Sequence, residues 1–344
     1  MPGAGFKRQG AEWKKVNDYL HSKPFNDVVE KMKAGTAGDS VVRRLLTPED
    51  GSVIDAEEED IIKWVVGALY SGGADTTVSA LATFVLAMVL YPEVQAKAQE
   101  EIERVVGTDR LPGIADRPQL AYVDAVYKET LRWHPVAPLA VPHRVTRDDE
   151  YGWCTIPAGA TIVANIWAMS RGGEPDPDVF RPERHLAGGG GNEVSQDPLT
   201  YVFGFGRRIC PGMNLADSEV WLGVVSLLAA FKMVKKSDGQ GGLITPKEEY
   251  EQGIIWYVVC RTRISYHKHF ISSGGYGLSP VIPSLSCAIS GLVCPTRLRS
   301  FMLLLLLLLP PPPFTTDALA LVRSRSIHAH ATCDVEPCSL CVCS

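Results

Sequence analysis

Residues 203–212 read "FGFGRRICPG", and no other stretch of the chain is so dense in special residues. Three glycines, two adjacent arginines and a Cys-Pro pair precede the apolar run "NLADSEVWLGVVSLLAAF", which reads as a buried helix. On that reading Cys210 sits at the helix N-cap, with Pro211 near the first helical position. Free N–H groups of the first turn, together with Arg207 and Arg208, then favour the thiolate, the form that binds metals or attacks substrates. Gly206 allows a tight turn, Gly212 allows a bulky group to approach the helix start, and Phe203 shields the sulfur from water. Three readings stay open for the cysteine itself: an inert buried thiol, a nucleophile or an axial haem ligand. A nucleophile needs a general base, and the loop supplies none.

The rest of the chain limits the classes available. Its 344 residues suffice for one large domain or two ordinary ones, with 46% hydrophobic and 21% charged residues. A formal charge of −5 argues against a nucleic-acid partner, because phosphate attraction needs a basic face. Of nine cysteines only Cys154, Cys210 and Cys260 precede residue 287, so the body reads as a reduced, intracellular protein. The first thirty residues contain no signal peptide.

Helical spacing dominates the first 135 residues. Amphipathic helix pieces end at Gly35, and the acidic run "DAEEED" opens a long apolar helix over Ile61–Tyr91. Lys63 and Asp75 argue against a membrane span there, since each costs about 2.5–3.5 kcal/mol at mid-membrane. The better reading is a long helix through the middle of a large protein. Pro92 starts a further helix with Val94, Ala98, Ile102 and Val105 on one face and Gly107 as its stop. Another covers about Tyr122–Trp133 and ends at His134-Pro135. Short strand-like runs, "LAVPHRV" and "TIPAGATIVANIW", suggest a small sheet, and residues 186–200 a Gly-rich loop.

Past residue 257 the composition changes. "FMLLLLLLLPPPP" is low complexity, and its apolar run is too short to span a bilayer as a helix. Cys338, Cys341 and Cys343 lack a partner knuckle or a histidine pair at finger spacing, which argues against zinc. Residues 258–344 therefore read as a low-complexity, disordered and atypical tail.

Two further motifs stand out. In "KETLRW", Glu129 and Arg132 share a helix face and can pair. In "GGADTT", Gly72–Thr77, two glycines, an acid and two hydroxyl residues interrupt an apolar helix, where propensity disfavours them. Local rules broken inside a core element often mark a functional site; the plainer reading is a packing notch.

Together these residues resemble the cytochrome P450 family. Phe203, Gly206, Arg208, Cys210 and Gly212 match its haem-ligand loop, Phe-x-x-Gly-x-Arg-x-Cys-x-Gly. Five specified positions, each about one in twenty, make a chance match in this length about one in ten thousand. The resemblance implies a mainly α cytochrome P450 fold, N-terminally truncated, with small β-sheets around the haem-ligand loop. It covers residues 1–257 as a partial domain and begins partway into the family pattern, while "GIIWYVVCRTRISYHKHF" departs from the expected closing hairpin.

By the same resemblance Cys210 is the axial thiolate of haem b, and Arg208 and His143 are propionate partners. Gly72 and Gly73 let the flat cofactor lie against the helix at an oxygen-binding kink. Thr76 donates a hydrogen bond to the oxygen being activated, and Asp75 relays protons. Glu129, Arg132 and Arg184 form a buried structural triad, with His185 replacing the family's usual aromatic. The implied function is a fungal microsomal-type monooxygenase that inserts one oxygen atom of O₂ into an apolar secondary metabolite or xenobiotic. The apolar "VAPLAV" would line its pocket. Electrons would come from NADPH through a separate cytochrome P450 reductase-like flavoprotein, since no dinucleotide-binding fingerprint occurs here. Full-length relatives sit on the cytosolic face of the endoplasmic reticulum through an N-terminal anchor that this chain lacks. The alternatives are a truncated, non-catalytic relative that binds haem weakly or not at all, and a haem-thiolate isomerase or peroxide user. Retention of Asp75 and Thr76 favours O₂ activation over the last of these.

Overall fold

A computed structural model describes residues 5–188, 195–251 and 253–258, and the backbone alone of 265–268. The low-complexity Leu/Pro run and the terminal cysteines lie outside the described residues. The chain divides into two compact units, Met1–Thr76 and one that begins at Thr77.

In the first unit, α1 (Gly5–Lys33) is a single 29-residue helix rather than separate pieces, and it continues through Pro24. Lys14–Asp18 and Lys23–Asp27 pairs, each four residues apart, support its exposed surface. Gly35 ends it in the left-handed region (φ 69°), and Thr36 N–H donates to Lys31 O at 2.9 Å, a Schellman closure. A short α2 (Val41–Leu46) is capped by Ser40. The acidic run then opens α3 (Ala56–Leu90): Asp55 Oδ1 accepts from the N–H groups of Glu57 and Glu58 at 2.9 Å. The ring of His21 fills the notch at Gly67, where a Cβ would stand 2.3 Å from His21 Cδ2.

The second unit contains the main core. Phe84, Ala87 and Met88 of α3 are fully buried, as are Val126 and Tyr127 of α5 (Ala121–Trp133). Helix α4 (Pro92–Val106), which follows α3 and packs against α5, has proline at its first turn and Gly107 at its end. Its buried Gln95 and Gln99 take the place of backbone partners. Gln95 accepts from Met233 N–H at 2.7 Å and donates to Met233 O at 2.9 Å, and Gln99 donates to Leu228 O at 2.9 Å.

The sheets are small antiparallel ladders of two strands each. The first two are β1 (His143–Arg144) with β4 (Thr161–Ile162) and β2 (Asp149–Tyr151) with β3 (Cys154–Ile156). "ANIW", read as the end of a strand, instead turns into α6 (Ile166–Met169), because Asn165 Oδ1 caps Ala168 N–H at 3.0 Å. Helix α7 (Met213–Ala230) follows the cysteine loop and runs into β5 (Phe231–Val234). It crosses α3 closely: a Cβ on Gly223 would lie 2.8 Å from Leu81 Cδ2. Beyond it, β6 (Lys236–Ser237) pairs with β7 (Leu243–Ile244), and β8 (Tyr250–Glu251) with β9 (Tyr257–Val258). The backbone of β10 (Ser265–Lys268) pairs with β5, so the ladder draws on residues past 257. Among the described residues, α3 and α7 are long and apolar enough to cross a membrane by length and composition alone, a test that buried core helices also pass.

Candidate functional site

The cysteine loop is shaped by its backbone. Gly204 (φ 84°) and Gly206 (φ 54°) both occupy the left-handed region, where a side chain is strained. The loop closes on itself: Cys210 N–H donates to Phe203 O at 2.7 Å, and Ile209 N–H to Gly206 O at 3.1 Å. Phe203 is half-buried and packs on the core, which anchors that closure. Gly204, which the sequence reading passed over, is as necessary to the turn as Gly206.

Cys210 is not the N-cap of α7; that position is Gly212, and the helix begins at Met213. The Cys-Pro-Gly segment forms its own turn first, with Met213 N–H donating to Cys210 O at 3.2 Å. The thiol is half-buried, and Arg207 and Arg208 are exposed beside it. A Cβ on Gly212 would stand 3.9 Å from Cys210 Sγ, an ordinary contact, so Gly212 leaves space beside the sulfur rather than relieving strain.

Elsewhere in the second unit, the structure brings Glu129, Arg132 and Arg184 together in full burial. Arg132 binds Glu129 bidentately at 2.8 and 2.8 Å, and Arg184 Nε donates to it at 3.1 Å. Arg181 N–H and His185 Nε2 complete the carboxylate at 2.8 and 2.9 Å. Arg184 spends its other donors on Glu174 and on the carbonyls of Pro175, Asp176 and Val179. Burial alone would push the Glu129 carboxyl up; the bonds from His185 and Arg132 and the charges of Arg132 and Arg184 outweigh it and hold it below the usual carboxylate range. His185 is thus a direct partner of Glu129, not a neutral replacement for an aromatic.

On α3 the "GGADTT" motif lies within the helical span Ala56–Leu90. Thr76 Oγ1 donates to Gly72 O at 2.7 Å, a back-bond to the i−4 carbonyl of the kind that often bends a helix. Gly72 and Gly73 are exposed, with open space where a Cβ would stand, and Asp75 and Thr76 are half-buried. These four residues belong to the first unit and Cys210 to the second. His143 is half-buried on β1, and among the described residues no hydrogen bond joins it to the cysteine loop.

Sequence reading also missed His134. It is buried, its Nε2 lies 2.6 Å from Glu248 Oε1, and its ring stacks on Tyr250 at 4.0 Å. Burial pushes the imidazole below its usual value more than Glu248 raises it.

The sequence profile of the cytochrome P450 family matches residues 20–254. The chain belongs to the cytochrome P450 family. Among its curated P450 relatives, cytochrome P450 monooxygenase claR of Ampulloclitocybe clavipes is 44% identical over 261 residues, 74% of this chain and 47% of the relative. Cytochrome P450 monooxygenase 176 of Postia placenta is 43% identical over 264 residues, 75% of this chain and 50% of the relative. The chain thus spans about half the length of the curated relatives it matches. A zebra fish cytochrome P450 solved with abiraterone superposes with a TM-score of 0.60 at 26% identity, over 74% of this chain and 59% of that one.

P450 membership implies a haem held by a cysteine thiolate. The residues present fit such a group. The thiol is half-buried, Ile209 and Leu215 in the same stretch leave large apolar side chains exposed, and Gly212 leaves room beside the sulfur. Exposed Arg208 adds a cation suited to acidic substituents.

Proposed function

We propose that this chain forms the haem-thiolate part of a monooxygenase that inserts one oxygen atom of O₂ into an apolar organic substrate. The observation that carries the reading is the half-buried Cys210 thiol, set in a closed, glycine-shaped loop. Haem b, when bound, supplies one-electron and O₂ chemistry, and a thiolate ligand favours O–O cleavage.

Each residue then has a distinct task. Cys210 Sγ is the ligand, and Arg208 and His143 neutralise the propionates. Phe203 excludes water from the loop, Gly206 sets its turn, and Gly212 leaves clearance. Gly72 and Gly73 give a flat surface with no side chain. Thr76 Oγ1 uses its own proton on Gly72 O, which leaves its oxygen to accept from a water. The Asp75 carboxylate passes protons from solvent. Glu129, Arg132 and Arg184 position the loop and take no part in the chemistry.

The segment "VAPLAV" favours an apolar substrate, a secondary metabolite or xenobiotic, since Leu139 and Val141 expose their side chains. We assign electron supply to an NADPH-dependent flavoprotein reductase, and the site of action to the cytosolic face of the endoplasmic reticulum. We take residues 1–257 as the P450 part, supported by a family match that ends at residue 254, and residues 258–344 as a low-complexity extension, although the backbone of Ser265–Lys268 pairs with β5.

The test is to supply haem to the full chain and record the reduced, carbon-monoxide-bound spectrum. A thiolate-type Soret band that disappears in Cys210→Ala is the expected result. No haem uptake, or a thiolate-type band that survives the substitution, overturns the proposal.

A further inference from the structure

A second ion network joins the helix after the cysteine loop to α5. Arg117, from the turn Ile114–Gln119, binds Asp217 of α7 bidentately at 2.6 and 3.0 Å and Asp124 of α5 at 2.9 Å. Tyr127 of α5 donates its hydroxyl to Asp217 Oδ1 at 2.9 Å. The guanidinium lies between the rings of Tyr127 and Trp221, 5.2 and 5.5 Å from their centroids. Burial would lower the Arg117 guanidinium, but Asp217 and Asp124 raise it above its ordinary value.

The start of α7 has no side-chain cap. Its N-cap, Gly212, offers no side chain, and its first turn carries no acidic residue. Asp217 lies one turn into the helix, about 6 Å along the axis from Met213. A two-point fork at that distance sets both the rotation and the height of the first turn. Because Cys210 joins α7 through the single turn Cys210–Met213, any rotation of the helix's first turn moves the sulfur.

We propose that Arg117, Asp217 and Tyr127 are positioning residues for Cys210, orienting the first turn of α7 so that the thiol is presented in one direction. The functional meaning rests on the haem-thiolate reading above, whereas the geometric claim concerns the cysteine alone.

Two readouts on the full chain test it. The first is the rate of Cys210 alkylation by iodoacetamide without haem, at one pH, read on the Cys210 peptide by mass spectrometry with Cys154 as internal reference. The second is the share of thiolate-type against neutral-thiol-type Soret band in the carbon monoxide complex, at equal bound haem. Asp217→Asn should change the alkylation rate about five-fold, the equivalent of one lost hydrogen bond, and move the band share toward the neutral-thiol form. Tyr127→Phe should act in the same direction by about two-fold. Arg110→Ala breaks the pair with Asp116 but leaves the bonds of Arg117 to Asp217 and Asp124 in place, and should change neither readout. Wild-type alkylation rates and band shares in both Asp217→Asn and Tyr127→Phe overturn the proposal. If Asp217→Asn does not fold, Tyr127→Phe decides alone. If no variant binds haem, wild type included, the monooxygenase reading fails while alkylation still decides the positioning claim.

Discussion

Helix α5 carries two carboxylate–arginine networks, and they are built on different terms. Glu129 is sealed, with no exposed side-chain surface, and its side-chain partners Arg132, Arg184 and His185 are themselves buried. The side chain of Asp217 keeps 27% of its surface, and that of Arg117 keeps 21%. The first network cannot lose a member without stranding a charge in a dry interior. The second can recruit water, so its loss relaxes an orientation more than it breaks the fold. Similar chemistry thus holds the segment Glu174–His185 rigidly in one case and steers α7 in the other.

The contrast can be broken where it is sharpest. Glu129→Ala leaves Arg132 and Arg184 facing each other, and should cost about 3–5 kcal/mol in denaturant unfolding, enough to unfold a marginal domain. His185→Phe, which restores the ring type usual in the family, removes one bond to a buried charge and should cost about 1.5–3 kcal/mol. A cost near zero for His185→Phe would mean that the carboxylate is satisfied without it. Smaller still should be Lys97→Ala, which breaks an exposed pair with Glu183, at no more than about 1 kcal/mol.

Acid should separate two buried groups by their windows. The value of His134 is depressed in the folded chain, so the unfolded chain binds the extra proton first. Its contribution is complete above the ordinary value near 6.5 and is lost as pH falls below it. Glu129 is depressed from a carboxylate's value, so its contribution is complete above about 4.5 and is lost below. Unfolding free energy followed down the pH scale should therefore fall in two stages, and His134→Phe should flatten only the first. A single stage below pH 4.5 in the unsubstituted chain would contradict the burial assigned to His134.

Much of this was legible in the sequence, and for identifiable reasons. Helix limits followed local chemistry: Asp55 and the acids after it, Pro92, Gly107 and His134-Pro135 each act within one turn. The cysteine loop could be read because glycine, arginine and cysteine have few substitutes there. Asn165 defeated the strand reading of "ANIW", because one capping bond outweighed an apolar alternation. The pairing of Arg117 with Asp217 spans a hundred residues, and that of His134 with Glu248 more, so no local spacing reveals either. His185 looked like a mild departure because its value comes from a carboxylate 56 residues away.

The most direct measurement concerns the sulfur of Cys210. With haem added to the full chain, the ferric electron paramagnetic resonance spectrum should carry the signature of a thiolate-ligated haem. Cys154→Ala, which removes the other described free cysteine, should leave that signature intact, and Cys210→Ala should abolish it. A thiolate signature that persists in Cys210→Ala, or that is lost in Cys154→Ala, would contradict the account.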